Sequence, residues 1–191
     1  MAVITMSTSL VLGRQSFRTR RFDITETSDI TGKQAVRLLG PPRWGMSIAS
    51  PSPLSMSSGA LWENMVMQLR GSINVLAAWD VNKPRPLGTL AGATVLSANA
   101  LAGATSISIS GGTPAATIIA GDWLTIGTGH GTSQLVKAVA NLTLSGGGTG
   151  TLAIEPPIRK QINSGAVVTW DKPQGYYRMM GTEVSWDGVP G

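Results

Sequence analysis

Apolar and polar residues alternate along several short segments of this chain, which is the pattern of half-buried β-strands. In the first half it predicts strands over residues 15–24 and 44–50, and a continuous apolar run predicts a buried strand over 73–80. A Gly-Pro-Pro tripeptide at 40–42 excludes a helix between the first two, because proline lacks the backbone donor and restrains the preceding residue. The N-terminal stretch has no basic lead, so we expect a strand or ordered arm rather than a signal peptide.

One segment instead repeats its apolar residues at helical spacing and so has one wide apolar face. We predict a helix over residues 57–70, capped at its start by Ser57 or Ser58 and followed by Gly71, since glycine commonly follows helices. The helix should lie across a sheet, with Trp62 as its main anchor. The predicted core anchors of this part of the chain are Trp44, Leu61, Trp62, Met65, Val66, Leu69 and Trp79.

The composition changes at about residue 91. From there to residue 170 the chain is nearly free of charge and rich in Ala, Gly, Ser and Thr. Short strand patterns separated by glycine turns are typical of a small barrel or sandwich. The predicted strands of this stretch are 106–110, 123–126, 134–140, 150–155 and 166–170.

Charged and aromatic residues return near the C-terminus. There, Tyr177 with Met179 and then Val184 with Trp186 predict a closing hairpin. The sequence therefore predicts a mainly β fold in two parts. Residues 1–90 and 171–191 are expected to form a discontinuous β-sandwich with one amphipathic helix, and residues 91–170 an inserted small β-barrel domain.

Composition favours an ordered assembly protein. Only 13% of the residues are charged and 42% are hydrophobic, whereas a disordered chain carries more charge and less apolar surface. The net charge of +5 belongs to the first ninety residues, which hold ten Lys/Arg and five Asp/Glu. Arginines alternate with Phe17 and Phe22 in the first long strand, so this face is either a solvated strand surface or a contact for nucleic acid or an acidic partner. The candidate oligomer or channel contacts are Arg14, Arg18, Arg20 and Arg21.

Residues that carry chemistry are scarce. The chain has no cysteine and one histidine, His130, which would need Asp122 and a serine to form a catalytic triad, and no nucleophile elbow is present. The glycine-rich stretches 127–131 and 146–150 lack the Gly-Lys-Ser/Thr ending of phosphate loops and are predicted to be turns. The acids that could bind a metal ion, such as Asp122, Glu155 and Asp171, are scattered along the sequence without a known metal-binding spacing. We predict no catalytic, metal or cofactor site, no bound cofactor, and a protein that is not an enzyme.

Several segments, taken in order, resemble one protein family. The resemblance lies in RTRRFDI (18–24), RWGMSIASP (43–51), ALWENMVMQLRGSINVLAAWD (60–80), KPRPLG (83–88), AGDWLTIG (120–127), LAIEPPIRKQINSG (152–165) and PQGYYRM (173–179). Together these segments resemble the distal tail proteins of long-tailed bacteriophages and related particles. In that group, a helix ending in Leu-Arg-Gly precedes a strand with an aromatic residue beside an acid, here Leu69-Arg70-Gly71 and Trp79-Asp80.

The resemblance implies a structural virion protein that forms a ring, typically of six copies, around the DNA channel. The ring would join the tail tube protein to the tail-tip hub and other minor tail proteins, with non-specific passage of DNA through its lumen. The implied location is the phage tail tip, after assembly in the host bacterial cytoplasm and without membrane insertion. An alternative is a host-surface carbohydrate-binding module, for which Trp123 and Trp170 would supply stacking rings. A hydrolase would need an acid pair that the sequence does not reveal.

Overall fold

The computed structural model describes residues 1–181, and their fold is mainly β, with 40% strand, 8% helix and a single helix. The helix is α1 (Met56–Leu69). The strands are β1 (Val3–Thr5), β2 (Arg14–Thr27), β3 (Gln34–Ala49), β4 (Val75–Ala78), β5 (Thr94–Leu96), β6 (Ser106–Ser110), β7 (Thr117–Ile118), β8 (Trp123–Ile126), β9 (Gln134–Ala138), β10 (Leu142–Thr143), β11 (Gly150–Glu155), β12 (Val167–Thr169) and β13 (Gly175–Tyr177).

The chain divides into two compact units. Among the described residues, the first consists of residues 1–16, 46–79 and 174–181, and the second of residues 17–45 and 80–173. These units cut the chain at different points from the predicted domains, since they group residues 17–45 and 80–90 with the middle of the chain. The physical reason is that Phe17 and Trp44 of the β2–β3 hairpin pack against Trp123 of the middle region, a tertiary contact that no local pattern reveals.

The first unit contains a three-stranded sheet in the order β1-β4-β13. The central strand β4 is buried along its whole length, and it pairs parallel with β1 and antiparallel with β13. Met65 and Leu69 of α1 pack in one cluster with Leu76 and Trp79. Among the described residues of this unit, this is the only sheet of three or more strands. The second sheet of the predicted sandwich therefore stays a prediction.

The helix begins one residue before its predicted start, and its N-cap lies two residues before the first predicted cap. Ser55 keeps an extended backbone (φ −65°, ψ 154°) and its Oγ accepts a hydrogen bond from the Ser58 N–H at 3.3 Å, so Ser55 is the N-cap and Ser57 and Ser58 lie in the first turn. At the other end Arg70 (φ 48°) and Gly71 (φ 63°) adopt the left-handed conformation that ends helices. The Leu-Arg-Gly segment is therefore a helix terminus.

Only the second half of α1 is well covered. Met65 and Leu69 are buried, and Val66 is half-buried. Trp62 is also half-buried, and its indole N–H donates to the Val11 carbonyl at 3.0 Å. Leu61 lies on the same face one turn before Met65, yet it is 36% exposed and is not the anchor that was predicted.

The second unit contains a closed six-stranded barrel in the order β11-β6-β5-β12-β8-β9, which confirms the predicted small barrel. Its core is built from alternate residues of the strands, as period-two side chains require. Three strands have the predicted bounds, namely β6, β8 and β11. The fully buried large aliphatic residues of the barrel strands are Leu96, Ile109, Leu124, Ile126, Val136, Leu152, Ile154 and Val168.

The termini match the sequence in part. The predicted N-terminal strand is present as β1, and the first strand of the predicted closing hairpin is present as β13. Its second strand, at Val184 and Trp186, lies outside the described residues. No helix among residues 1–181 is long and apolar enough to cross a membrane.

Candidate assembly interface

The most unusual element is the hairpin formed by β2 and β3 with its turn, residues 14–49, which we call the arm. Its strands are 14 and 16 residues long, so the arm is about 45 Å in length at about 3.3 Å per residue. The turn is closed by a hydrogen bond from the Ser28 N–H to the Lys33 carbonyl, with Gly32 at a positive φ of 65°. Strand β3 runs through Pro41 and Pro42, which a two-stranded sheet tolerates because one edge of each strand is unpaired.

An aromatic cluster fixes the arm to the barrel within the second unit. The rings of Phe17 and Trp44, one from each arm strand, lie 5.2 Å and 4.7 Å from the ring of Trp123 on β8. The Trp44 indole N–H also donates to the carbonyl of Leu135 on β9 at 3.1 Å. Trp44 is thus the anchor of the arm on the barrel, and it lies outside the core cluster that contains Met65 and Trp79.

Charged groups complete this cluster. The Trp123 indole N–H donates to Asp80 Oδ2 at 3.0 Å, and Lys137 Nζ lies 4.5 Å from the centre of a Trp123 ring. Burial lowers the pKa of Lys137, and the positive charge of Lys83 lowers it further, while Asp80 opposes both. The Trp-Asp pair of the sequence, Trp79-Asp80, therefore ends β4 with a buried ring and supplies the carboxylate that holds Trp123.

The Gly-Asp-Trp segment before β8 holds the surrounding loops. The Asp122 carboxylate is buried and accepts hydrogen bonds from the backbone N–H groups of Leu87 (2.7 Å), Gly88 (3.4 Å) and Ile119 (2.9 Å). Gly121 precedes it with a φ of 100°, which a residue with a side chain rarely adopts. Asp122 therefore holds the loops before β8 together, and we call it the loop clamp. Nothing in the sequence around Asp122 predicts this role.

Beyond the aromatic cluster, the arm is exposed to solvent. Every residue from 23 to 39 is exposed. The exposed residues include five large aliphatic side chains, with Ile30 at 95% exposure and Val36 at 67%. The others are Ile24, Leu38 and Leu39. A two-stranded hairpin is only marginally stable by itself, and unpaired strand edges with apolar side chains invite pairing with another chain.

All four predicted contact arginines lie exposed on β2. Arg20 stacks over the Phe22 ring at 5.4 Å, and the Arg18 side chain lies across Gly45 of β3, where an added Cβ would be in tight contact with it. Arg14 and Arg21 are also exposed. The sequence did not identify Arg43, which approaches the same Phe22 ring at 5.9 Å from β3 and extends the basic surface across the arm.

The candidate chemical residues do not form a reactive site. His130 lies at an exposed loop, and both carboxylate oxygens of its potential triad partner Asp122 bind backbone amides. The two glycine-rich stretches are turns with left-handed residues such as Gly129 and Gly148. Among residues 1–181 no three His, Asp or Glu side chains lie close enough to hold a metal ion.

The barrel unit also has a shallow groove of about 520 Å³ lined by residues 85, 86, 88–93 and 167–171. Its two charged side chains, Arg85 and Asp171, pair with each other at 3.5 Å and are largely exposed. Both tryptophans of the middle region are buried, Trp123 at 4% exposure and Trp170 at 2%, and Trp170 donates its N–H to Thr94 Oγ1. Neither ring is presented for stacking on a sugar.

The arm is therefore the feature of the described residues that most resembles a binding surface: a long hairpin, anchored by three aromatic rings, with exposed aliphatic and charged side chains. Comparison with protein-family models finds no match for the chain, and comparison with curated protein sequences finds none either.

Proposed function

We propose that this chain is a non-catalytic structural protein that assembles with copies of itself, and that the arm makes the main contact between copies. The observation that carries the proposal is the exposure of every residue from 23 to 39, including five large aliphatic side chains, on a hairpin with two unpaired edges. A closed ring of copies covers such edges, because each arm then lies against a neighbour.

The exposed apolar residues of the arm give an estimate of the free energy that a contact between copies gains by burial. Burying a large aliphatic side chain stabilises by about 1.5–3 kcal/mol when it was fully exposed, so the five partly exposed residues contribute about 5–10 kcal/mol. Association itself costs about 4–15 kcal/mol. Apolar burial alone therefore roughly balances the cost, and a stable ring needs further polar contacts.

The likeness to distal tail proteins supports a specific setting for this assembly. In that setting six copies form a ring that joins the tail tube to the tail-tip complex, contacts the hub and other minor tail proteins, and lines the DNA channel in the virion. The second sheet of the predicted sandwich and the belt built from residues 1–90 and 171–191 belong to this proposal. The carbohydrate-binding alternative has less support, since its two tryptophans are buried.

The test removes the apolar residues of the arm. The triple variant Val36→Ser, Leu38→Ser, Leu39→Ser should shift the mass measured by light scattering from an oligomer to the 19.9 kDa monomer. The matched control changes aliphatic residues of similar exposure in the barrel unit, Leu101→Ser (59%) and Val139→Ser (51%), and should keep the oligomer. An unchanged mass for the arm variant, with circular dichroism as in the wild type, would contradict the proposal.

A further inference from the structure

The arm separates its charges along its length. The part near the aromatic cluster, residues 17–22 and 37–45, holds five arginines and no acid, and we call it the basic half. The outer part, residues 23–36, holds three acids and one lysine, and we call it the acidic tip. The arginines of the basic half are Arg18, Arg20, Arg21, Arg37 and Arg43, and the acids of the tip are Asp23, Glu26 and Asp29.

The tip acids have no partner among residues 1–181. Neither Asp23, Glu26 nor Asp29 forms a salt bridge or a side-chain hydrogen bond with any residue in the part of the chain that the structure describes. Glu26 lies five residues beyond Arg21 on the same strand, a distance of about 16 Å at about 3.3 Å per residue. The extended strand therefore separates Glu26 and Asp29 from the arginines of β2, whereas Asp23 directly follows the basic half.

The basic half carries an excess of positive charge. Arg20 and Arg43 both lie over the Phe22 ring, and neither has a carboxylate partner within residues 1–181. In the barrel unit, burial lowers the pKa of Arg159, and electrostatic repulsion from Arg43 lowers it further. A negatively charged group brought to this surface would relieve the repulsion.

We propose that the acidic tip of one copy binds the basic half of the arm of the next copy, head to tail; this inference rests on the self-assembly proposed above. A head-to-tail contact joins two different surfaces, so it closes into a ring when the rotation between copies allows. The same contact covers the tip aliphatic residues Ile30 and Val36, which are 95% and 67% exposed in the single chain. Opposite charges at the two ends also select one orientation of the neighbour.

A second copy fits the arm better than nucleic acid does. DNA would satisfy the arginines, but its phosphates would be repelled by Asp23, Glu26 and Asp29 and would leave the aliphatic side chains exposed. A neighbouring arm satisfies all three features at once: the arginines, the acids and the apolar residues.

Charge reversal on each side tests the pairing. The tip variant Glu26→Lys, Asp29→Lys and the base variant Arg21→Glu, Arg37→Glu change four exposed residues that do not stack on Phe22. Each variant alone should lose the oligomer and run at the 19.9 kDa monomer mass in light scattering at low salt. The controls Glu63→Lys and Arg178→Glu reverse exposed charges of the first unit and should keep the wild-type mass.

Recombining the variants gives the decisive result. An equimolar mixture of the tip and base variants should recover the oligomer, because the reversed side chains of the tip then face reversed side chains of the basic half, and so should the chain that carries all four reversals. The pairing is overturned if either single variant keeps the wild-type mass. It is also overturned if the single variants dissociate but neither the mixture nor the fourfold variant recovers the oligomer. Binding of a labelled DNA duplex that is lost in the base variant, with its mass unchanged, would show a nucleic-acid surface instead. A wild-type chain that is monomeric at every concentration overturns the proposed function and the pairing with it.

Discussion

Removal of the Trp44 side chain should detach the arm from the barrel. In Trp44→Ala the edge contact with Trp123 disappears, which is worth about 0.5–1.5 kcal/mol. The hydrogen bond to the Leu135 carbonyl is lost as well, at about 0.5–1.5 kcal/mol. The half-buried ring contributes about 1–2 kcal/mol through burial. The free energy of unfolding of the barrel unit should therefore fall by about 2–5 kcal/mol, which lowers Tm by about 4–20 °C for a chain of this size.

The assay is urea unfolding followed by tryptophan fluorescence and far-ultraviolet circular dichroism, with coincident curves as the check on two-state behaviour. Trp44→Phe is the matched variant, since it keeps an aromatic ring against Trp123 but loses the indole N–H and part of the ring surface, so its loss should be about 1–2 kcal/mol. Trypsin provides a second readout, because cleavage after Arg20 and Arg21 should accelerate in Trp44→Ala.

A double-mutant cycle between Trp44→Ala and Trp123→Ala should give a coupling of about 0.5–1.5 kcal/mol, as expected of rings 4.7 Å apart. If Trp44→Ala costs less than about 1 kcal/mol, or if the two changes are additive, the aromatic cluster does not fix the arm and the reasoning is refuted.

Three further predictions concern the barrel unit. Asp122→Ala removes the acceptor of three backbone amides and should cost about 2–4 kcal/mol in urea unfolding, whereas a loss below about 1 kcal/mol would contradict the clamp. Gly148→Ala should cost about 2–4 kcal/mol, because φ is 68° and a Cβ would meet the Gly112 carbonyl oxygen, while Gly146→Ala, with open space around it, should be nearly neutral by thermal unfolding. The pKa of Lys137 lies below 10.5 in the folded chain, so the unfolded chain binds more protons just below that pH and stability should rise as the pH approaches 10.5. Urea midpoints across that window should lose this rise in Lys137→Met, and an unaltered rise would assign it to another group.

The barrel is the part of the fold that the sequence predicts best. Residues alternate between core and surface along β6 and β11, and β8 is a short run of four buried residues; these three strands have the bounds that the sequence predicts. The helix is nearly as clear, because a repeat of four combined with a nearby serine and glycine marks both ends. Its cap moved to Ser55 since backbone conformation, and not residue type alone, decides which of several serines is the N-cap.

The arm is the part that the sequence could not predict in full. The prolines at 41 and 42 interrupt the strand pattern, and they are tolerated only because β3 has an unpaired edge. The arginines of β2 are visible in the sequence, but Arg43 joins them through the pairing of distant strands. Trp44 looked like a core residue of the first part of the chain, whereas a tertiary contact places it against Trp123. Exposure of the aliphatic residues depends on what covers them, which no local pattern encodes.

The central claim is that this chain assembles with itself through the arm. The most direct measurement is the native mass of the purified full chain by light scattering across a range of concentrations, with the particles imaged by electron microscopy. The account predicts a discrete oligomer whose mass is a whole multiple of 19.9 kDa, six-fold in the proposed setting, and ring-shaped particles. A single 19.9 kDa species at every concentration would contradict it.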